Sequence, residues 1–353
     1  MRNLFVRECG NYKTTYKNDM KLFGTTGDKV KWLILLLLLF TVPFYVSNYW
    51  VGLLTLCAIS AIGAIGLNIL TGFTGQISIG VGAFLGVGGY TTAILTTTYG
   101  LSFWISLPLA GIVTALVGGL FGIPSLRLKG LYLAIATLAA QVIITFVISR
   151  WDSVTGGTAG MVLSRPSLGN YSFVSNTSYY YLTLIILLLT VLYATNLLRT
   201  RVGRAFLAVR DRDIAAQIMG INLFYYKVLA FIISSFFVGI AGALLAHYTM
   251  IVSPELYNIH VSIQYLAMIL IGGLGSIFGS ILGAAFITLL PVGLNSIVDF
   301  LTVYMPDFYQ LFSAFKEFVF GLAIILFLIF EPGGLAHIWQ NIKNYFKLWP
   351  FSY

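Results

Sequence analysis

The residues best suited to do chemistry lie in Gly66-Leu-Asn-Ile-Leu-Thr-Gly-Phe-Thr-Gly-Gln-Ile-Ser78, where Asn68, Thr71, Thr74, Gln76 and Ser78 crowd beside Gly72 and Gly75. Amides and hydroxyls exchange hydrogen bonds with a polar solute without ionising. Two close glycines can break a helix and bare backbone groups, which hydrocarbon penalises unless they line a cavity or are covered by protein. The stretch reads either as the lining of a solute path or as an interhelical turn ahead of a small-residue packing helix, since Gly82-x-x-x-Gly86 fits the close-approach pattern. A second stretch, Ile269-Leu-Ile-Gly-Gly-Leu-Gly-Ser-Ile277, matches Ile69 to Ile77 at five of nine positions with an offset of 200. It places Gly272, Gly273 and Gly275 at a second break. Either an internal repeat or chance matching in a Gly/Ile/Leu-rich composition explains it, and repeats with glycine-interrupted spans commonly flank a transport path.

A third stretch, Arg199 to Gly220, is charged. Ala208, Val209, Ala215, Ala216 and Met219 form an apolar stripe against Arg210, Arg212 and Asp213, which predicts a short surface helix ended by Gly220, and Arg204 is counted with the segment's coupling residues. Such a helix either docks in a partner's groove or lies on anionic lipid. The small residues of Ala215-Ala216-x-x-x-Gly220 favour a protein partner.

Other chemistry is missing. There is no G-x-x-x-x-G-K-[ST] phosphate loop, so the chain does not hydrolyse ATP alone. His247, His260 and His337 have no ligand-forming neighbours at metal spacing, and no Ser/His or His/Asp cluster offers an acid, base or nucleophile. No metal, cofactor or enzymatic site is expected. Cys9 in a charged leader and Cys57 in an apolar run imply no disulfide. His247, near the outer end of the run 225–250, is the only plausible ionisable group within the apolar runs, and it reads as an interfacial hydrogen-bonding residue rather than a proton relay.

The elements that must position these residues follow from composition. Of 353 residues, 59% are hydrophobic and 9% charged, against about 25% charged in a typical soluble domain. That apolar excess has to face lipid. Runs near 32–48, 50–71, 77–98, 103–126, 130–149, 179–198, 225–250, 259–272, 276–295 and 311–330 approach the roughly 20 residues that span a bilayer core. They lack the period-two alternation of barrel strands. The fold class is all-α: a polytopic helical membrane protein of about ten transmembrane segments with glycine-broken helices. Residues 1–31 form a cytoplasmic leader, 32–331 the membrane domain with a cytoplasmic segment at 199–222, and 332–353 a cytoplasmic tail. With the N-terminus inside, seventeen of the twenty cations fall in inside loops and only Arg150, Arg165 and Lys316 outside, which satisfies the positive-inside rule. Both termini are then cytoplasmic. The net charge of +9 therefore reports loop orientation and contact with membrane lipid, not nucleic acid.

From about Lys29 to Leu335 the chain resembles the LivM-type permease subunits of branched-chain amino acid ATP-binding cassette importers. The resemblance runs through Gly66 to Ser78, Arg127-Leu-Lys-Gly-Leu-Tyr-Leu-Ala-Ile-Ala-Thr-Leu138, Ser153-Val-Thr-Gly-Gly157, Asp213-Ile-Ala-Ala-Gln-Ile-Met-Gly220, Ile271-Gly-Gly-Leu-Gly-Ser276 and Phe330-Glu-Pro332. It implies a transport subunit in a bacterial or archaeal cytoplasmic membrane, working with a second, LivH-like permease, two ATPase subunits and an external solute-binding protein. The implied cargo is leucine, isoleucine and valine or a related small solute, relatives of the same plan importing urea or short amides. Ala215-Ala216-x-x-x-Gly220 takes the place of the motif that docks on the ATPase. Ile214 stands where the family has a glutamate, with Asp213 one position earlier, Val81 where a histidine is common, and Gly333 where a basic residue is frequent. The rivals are a self-sufficient carrier, sodium-coupled through exposed carbonyls, and a membrane enzyme such as an acyltransferase. The latter would need the acid-base set that is missing.

Overall fold

The computed structural model describes residue 15 and residues 26–125, 128, 130–168, 171–302, 318–322, 324–327, 329–331 and 333–348. Leader cations Arg2, Arg7, Lys13, Lys17 and Lys21, together with Cys9, Arg127, Lys129, Asp307, Lys316 and Glu317, lie outside the described residues. So does the start of the run near 311–330.

In lipid every backbone polar group needs an internal partner, and unbroken apolar runs meet that need as helices. The chain forms α1 (Thr26–Tyr45), α2 (Asn48–Thr74), α3 (Val81–Thr97), α4 (Phe103–Ser125), α5 (Leu131–Arg150) and α6 (Asn176–Arg199). There follow α7 (Arg201–Asp211), α8 (Asp213–Ile218), α9 (Leu223–Thr249), α10 (Ile259–Gly272), α11 (Ile277–Thr302) and α12 (Gly334–Leu348). Side-chain oxygens of Ser175, Asn222 and Asn258 cap the first turns of α6, α9 and α10. Among the described residues, strand is limited to two-residue pairs, such as Met161–Val162 against Ile251–Val252.

Among the described residues, six helices (α2, α4, α5, α6, α9 and α11) are long and apolar enough to cross a membrane. Residues Trp32–Tyr45 of α1, Val81–Thr97 and Phe318–Phe327 are shorter apolar helices. At 14 residues, α10 is about 21 Å long, short of the roughly 30 Å hydrocarbon core. Two helices sit at the centre: 78% of the apolar window of α2 and 72% of that of α9 is buried in protein, against 28–44% in the other four. They run antiparallel, because Tyr248 Oη near the end of α9 donates to Gly52 O near the start of α2, while Gln76 Nε2 just past α2 donates to Lys227 O near the start of α9. α4, α3 and α2 pack on α9, and α11 and α6 pack on α2.

Two of the expected runs change character. The run near 77–98 begins as a non-helical stretch, residues 75–80, and becomes helix only at Val81. The surface helix expected over 199–220 is two helices, divided at Arg212, whose backbone is extended (φ −155°, ψ 96°).

Candidate functional site

The two glycine stretches, 200 residues apart in sequence, meet in space at one end of the bundle. Asn68, inside α2, donates from Nδ2 to Ser276 O (2.9 Å) and Ser280 Oγ (2.7 Å) and accepts at Oδ1 from Gly275 N (3.0 Å). A buried amide thus satisfies the backbone that the second break bares between α10 and α11. A Cβ on Gly72 would collide with Asn68 Oδ1 and with the Gly275 amide nitrogen, so close approach requires glycine there. Gly75 ends α2 in the left-handed region (φ 70°) and directs the chain back into the protein. Thr71 Oγ1 donates to Gln76 O and Thr74 Oγ1 to Leu70 O, which cover part of the helix end. Gln76 and Ser78 are buried, and Gln76 Oε1 is a buried oxygen with no hydrogen-bond partner.

From Gly75, residues 75–80 run without helical bonds to the level of the middle of α5, where α3 starts. From the end of α9, residues 250–258 lead through the strand Ile251–Val252 and the 3-10 helix Pro254–Tyr257 to the start of α10. Both first turns meet the same amide. Gln141, halfway along α5, accepts at Oε1 from Ala83 N (2.6 Å) and Ser262 Oγ (3.1 Å) and donates from Nε2 to Tyr257 O (2.7 Å). Ser262 Oγ in turn accepts from Gly82 N (2.8 Å), and Thr137, one turn before Gln141, accepts from Ile79 N (2.9 Å). Two shortened helices, of 17 and 14 residues, therefore begin beside the middle of α5 and run towards opposite ends, the first fed by the non-helical residues 75–80 and the second by the strand Ile251–Val252 and the 3-10 turn Pro254–Tyr257. Such stretches are stable at membrane depth only when protein covers them. The resulting arrangement is inverted: α2 with α3 corresponds in course to α9 with α10. The offset of 200 instead aligns the end of α2 with the end of α10, two elements that touch. Gly82 and Gly86 face Asn258 and Tyr257, so the small-residue stripe packs on the end of the 3-10 turn that leads into α10.

Gln141, Ser262 and Thr137 escaped sequence reasoning. The available signal was Gln141 itself, the single carboxamide in the run Leu131–Arg150, since an amide in an apolar span has to be satisfied by a neighbour.

The charged segment lies at the Gly75 end. α7 buries Gly203, Ala205, Phe206 and Val209 against the bundle and leaves Arg204 exposed. Arg210 Nη1, in its last turn, donates to Gly72 O (3.2 Å), a carbonyl at the C-terminal end of α2 where a cation is favoured. The same Nη1 lies 3.2 Å from where a Gly275 Cβ would stand, so Arg210 reaches both glycine breaks. In α8 Ala216 points inward (3% exposed), whereas Ile214, Ile218 and Met219 are 67%, 82% and 83% exposed. Ala215, Asp213 and Gly220 flank this apolar surface.

His247 is buried and uses both ring nitrogens, with Nδ1 2.9 Å from Ser164 O and Nε2 3.2 Å from Thr92 Oγ1. Among the described residues no three His, Cys, Asp or Glu gather to hold a metal. A groove of about 1160 Å³ between α4, α6 and α9 is apolar apart from Thr190 and Tyr193. Its walls suit hydrocarbon, not a zwitterion, and it lies away from both breaks.

Apolar helices long enough to cross a membrane define a helical membrane protein. Residues 49–328 match the family model described as branched-chain amino acid transport system / permease component, and the chain belongs to that family. The LivM permease protein of the high-affinity branched-chain amino acid transport system of Salmonella typhimurium is 33% identical over 336 residues, covering 88% of this chain and 76% of that protein. The Escherichia coli LivM is equally similar over the same shares. A probable LivH permease of Methanocaldococcus jannaschii is 27% identical over 295 residues, 80% of this chain and 90% of its own length. No solved structure matches the chain. Membership makes the protein a multi-pass permease component of an inner membrane, related to both permease types of such importers.

Proposed function

We propose that this chain is the LivM-type subunit of an ATP-driven importer for leucine, isoleucine and valine, and that the junction of its two broken segments lines the path. The observation that carries this is the family match over residues 49–328, at 33% identity to LivM proteins. The chemistry of the junction supports it. Asn68, Thr71, Gln76 and Ser78 offer amides and hydroxyls beside the breaks at Gly72 to Gly75 and Gly272, Gly273 and Gly275, with no carboxylate among them. Such a neutral lining passes a zwitterion without trapping it, because conduction needs binding weak enough to release. Charge at the two ends of the bundle supports an inside face at the Gly75 end. Arg199, Arg201, Arg204, Arg210, Arg212 and Lys227 gather there, and Arg150, Arg165, Asp152 and Glu255 at the other. On this reading the ten apolar runs each traverse or enter the membrane, a LivH-like permease is the partner chain, two ATPases dock at residues 199–222, and a solute-binding protein delivers cargo from outside.

The test is uptake by proteoliposomes holding the chain with a LivH-like permease and the two ATPases. Labelled leucine, isoleucine and valine enter only with ATP on the ATPase side and binding protein opposite. Uptake driven by a sodium gradient without ATPases would establish a secondary carrier, and preferential entry of urea or acetamide would reassign the cargo.

A further inference from the structure

Helix α12, Gly334–Leu348, follows the apolar helical segment that ends at Phe330, and it is amphipathic. Leu335, Ile338, Trp339, Ile342 and Tyr345 recur at three- and four-residue spacing along one face. His337, Gln340, Asn341 and Asn344 lie on the other. Trp339 is 54% and Ile342 44% exposed, so the described residues leave this part of the apolar face open.

Several observations say what covers it. α12 starts where an apolar segment stops, and Phe318, Ile325, Ile329 and Phe330 of that segment are themselves exposed. Its first turn is seated on the α10–α11 break: a Gly273 Cβ would stand 3.0 Å from Gly333 O and 3.2 Å from Ala336 Cβ, and the Trp339 ring lies 6.0 Å from that of Phe278. This contact fixes α12 at the cation-rich end of the bundle. The sequence of α12 contains Lys343 and Lys347 and no Asp or Glu, and the nearest acid, Glu331, is taken by His337 at 2.8 Å. Trp and Tyr are the side chains that settle at headgroup level, with lysines reaching outward.

We propose that α12 is a membrane-surface helix that lies in the headgroup layer of the leaflet at the Gly75 end, its apolar face towards the acyl chains and Lys343 on anionic lipid headgroups. This goes beyond the transport reading and does not depend on the cargo. Because α12 sits on Gly273, lipid held by the helix bears directly on the second glycine break.

The full chain is reconstituted in nanodiscs of phosphatidylcholine alone, or with about a third phosphatidylglycerol, and hydrogen exchange of residues 338–348 is followed at low and high salt. Exchange is expected on the order of tenfold slower in the anionic discs at low salt, with the difference shrinking at high salt. The double variant Lys343→Gln, Lys347→Gln loses the difference. Lipid brominated near the glycerol end quenches the fluorescence contributed by Trp339, read as wild type minus Trp339→Phe. Equal exchange in both discs, or an unquenched Trp339, overturns the proposal. Protection that arises only when ATPase subunits are added overturns it too, and makes the face a protein contact.

Discussion

Gln141 joins three segments through one side chain: the first turn of α3, the first turn of α10 and the turn before α10. Replacing it with leucine leaves Ala83 N and Tyr257 O buried without partners, at about 1–3 kcal/mol for each unsatisfied group. Gln141→Leu is therefore expected to lower the Tm of the purified protein by several degrees and to abolish uptake. An unchanged Tm in a thermal unfolding scan would show that the two helix starts do not rely on this amide. Arg210 acts differently, since its partly exposed guanidinium donates to Gly72 O and pairs with the exposed Asp211. If residues 199–222 receive the ATPase, Arg210 is the side chain that carries their movement to the breaks. Arg210→Gln is expected to keep Tm and ATPase co-purification at the wild-type level while ATP consumed per solute rises several-fold, with Arg210→Lys intermediate. Wild-type stoichiometry in Arg210→Gln would remove it from the link.

Helices α7 and α8 divide the charged segment into an anchoring part and a presenting part. Phe206 and Val209 lock α7 to the bundle, the extended Arg212 turns the chain, and α8 then holds Ile214, Ile218 and Met219 out to solvent. Exposed apolar residues of this kind are typical interface anchors, each worth about 1–3 kcal/mol where they form a hot spot. Ile218→Asp and Met219→Asp are expected to leave the Tm unchanged and abolish co-purification of the ATPases. Ala216→Arg behaves otherwise, because Ala216 is buried, and lowers the Tm of the chain itself. Normal co-purification of both aspartate variants would show that the ATPase docks elsewhere.

The two ends of the molecule differ in charge, so its orientation is measurable with single cysteines and an impermeant thiol reagent. In a Cys9→Ser, Cys57→Ala background, Val162→Cys is expected to label from outside intact cells and Ile218→Cys only after the membrane is opened. Both positions are well exposed, whereas Ala205, in the same charged segment, is 6% exposed and would resist labelling from either side. Labelling of Ile218→Cys from outside would invert the topology.

Much of this molecule was legible along the chain, because hydropathy and charge act locally. Unbroken runs such as Leu33 to Phe40 require helices in lipid, the distribution of lysine and arginine separates the two ends, and Gly75 and Gly273 mark where helices stop. The quoted motifs from Gly66 to Phe330 identified the family. What the runs could not convey is partnership. Nothing in the order of residues says that Asn68 reaches Gly275 or that Gln141 closes over Ala83 and Tyr257. Nor does it say that the stripe of α8 is Ile214, Ile218 and Met219, with Ala216 turned inward. The length of a run likewise does not tell where its helix begins, and for that reason residues 77–80 read as part of the span that becomes helical only at Val81. Those outcomes rest on which buried backbone groups need partners once the helices are packed, a demand that appears only after distant segments have been brought together.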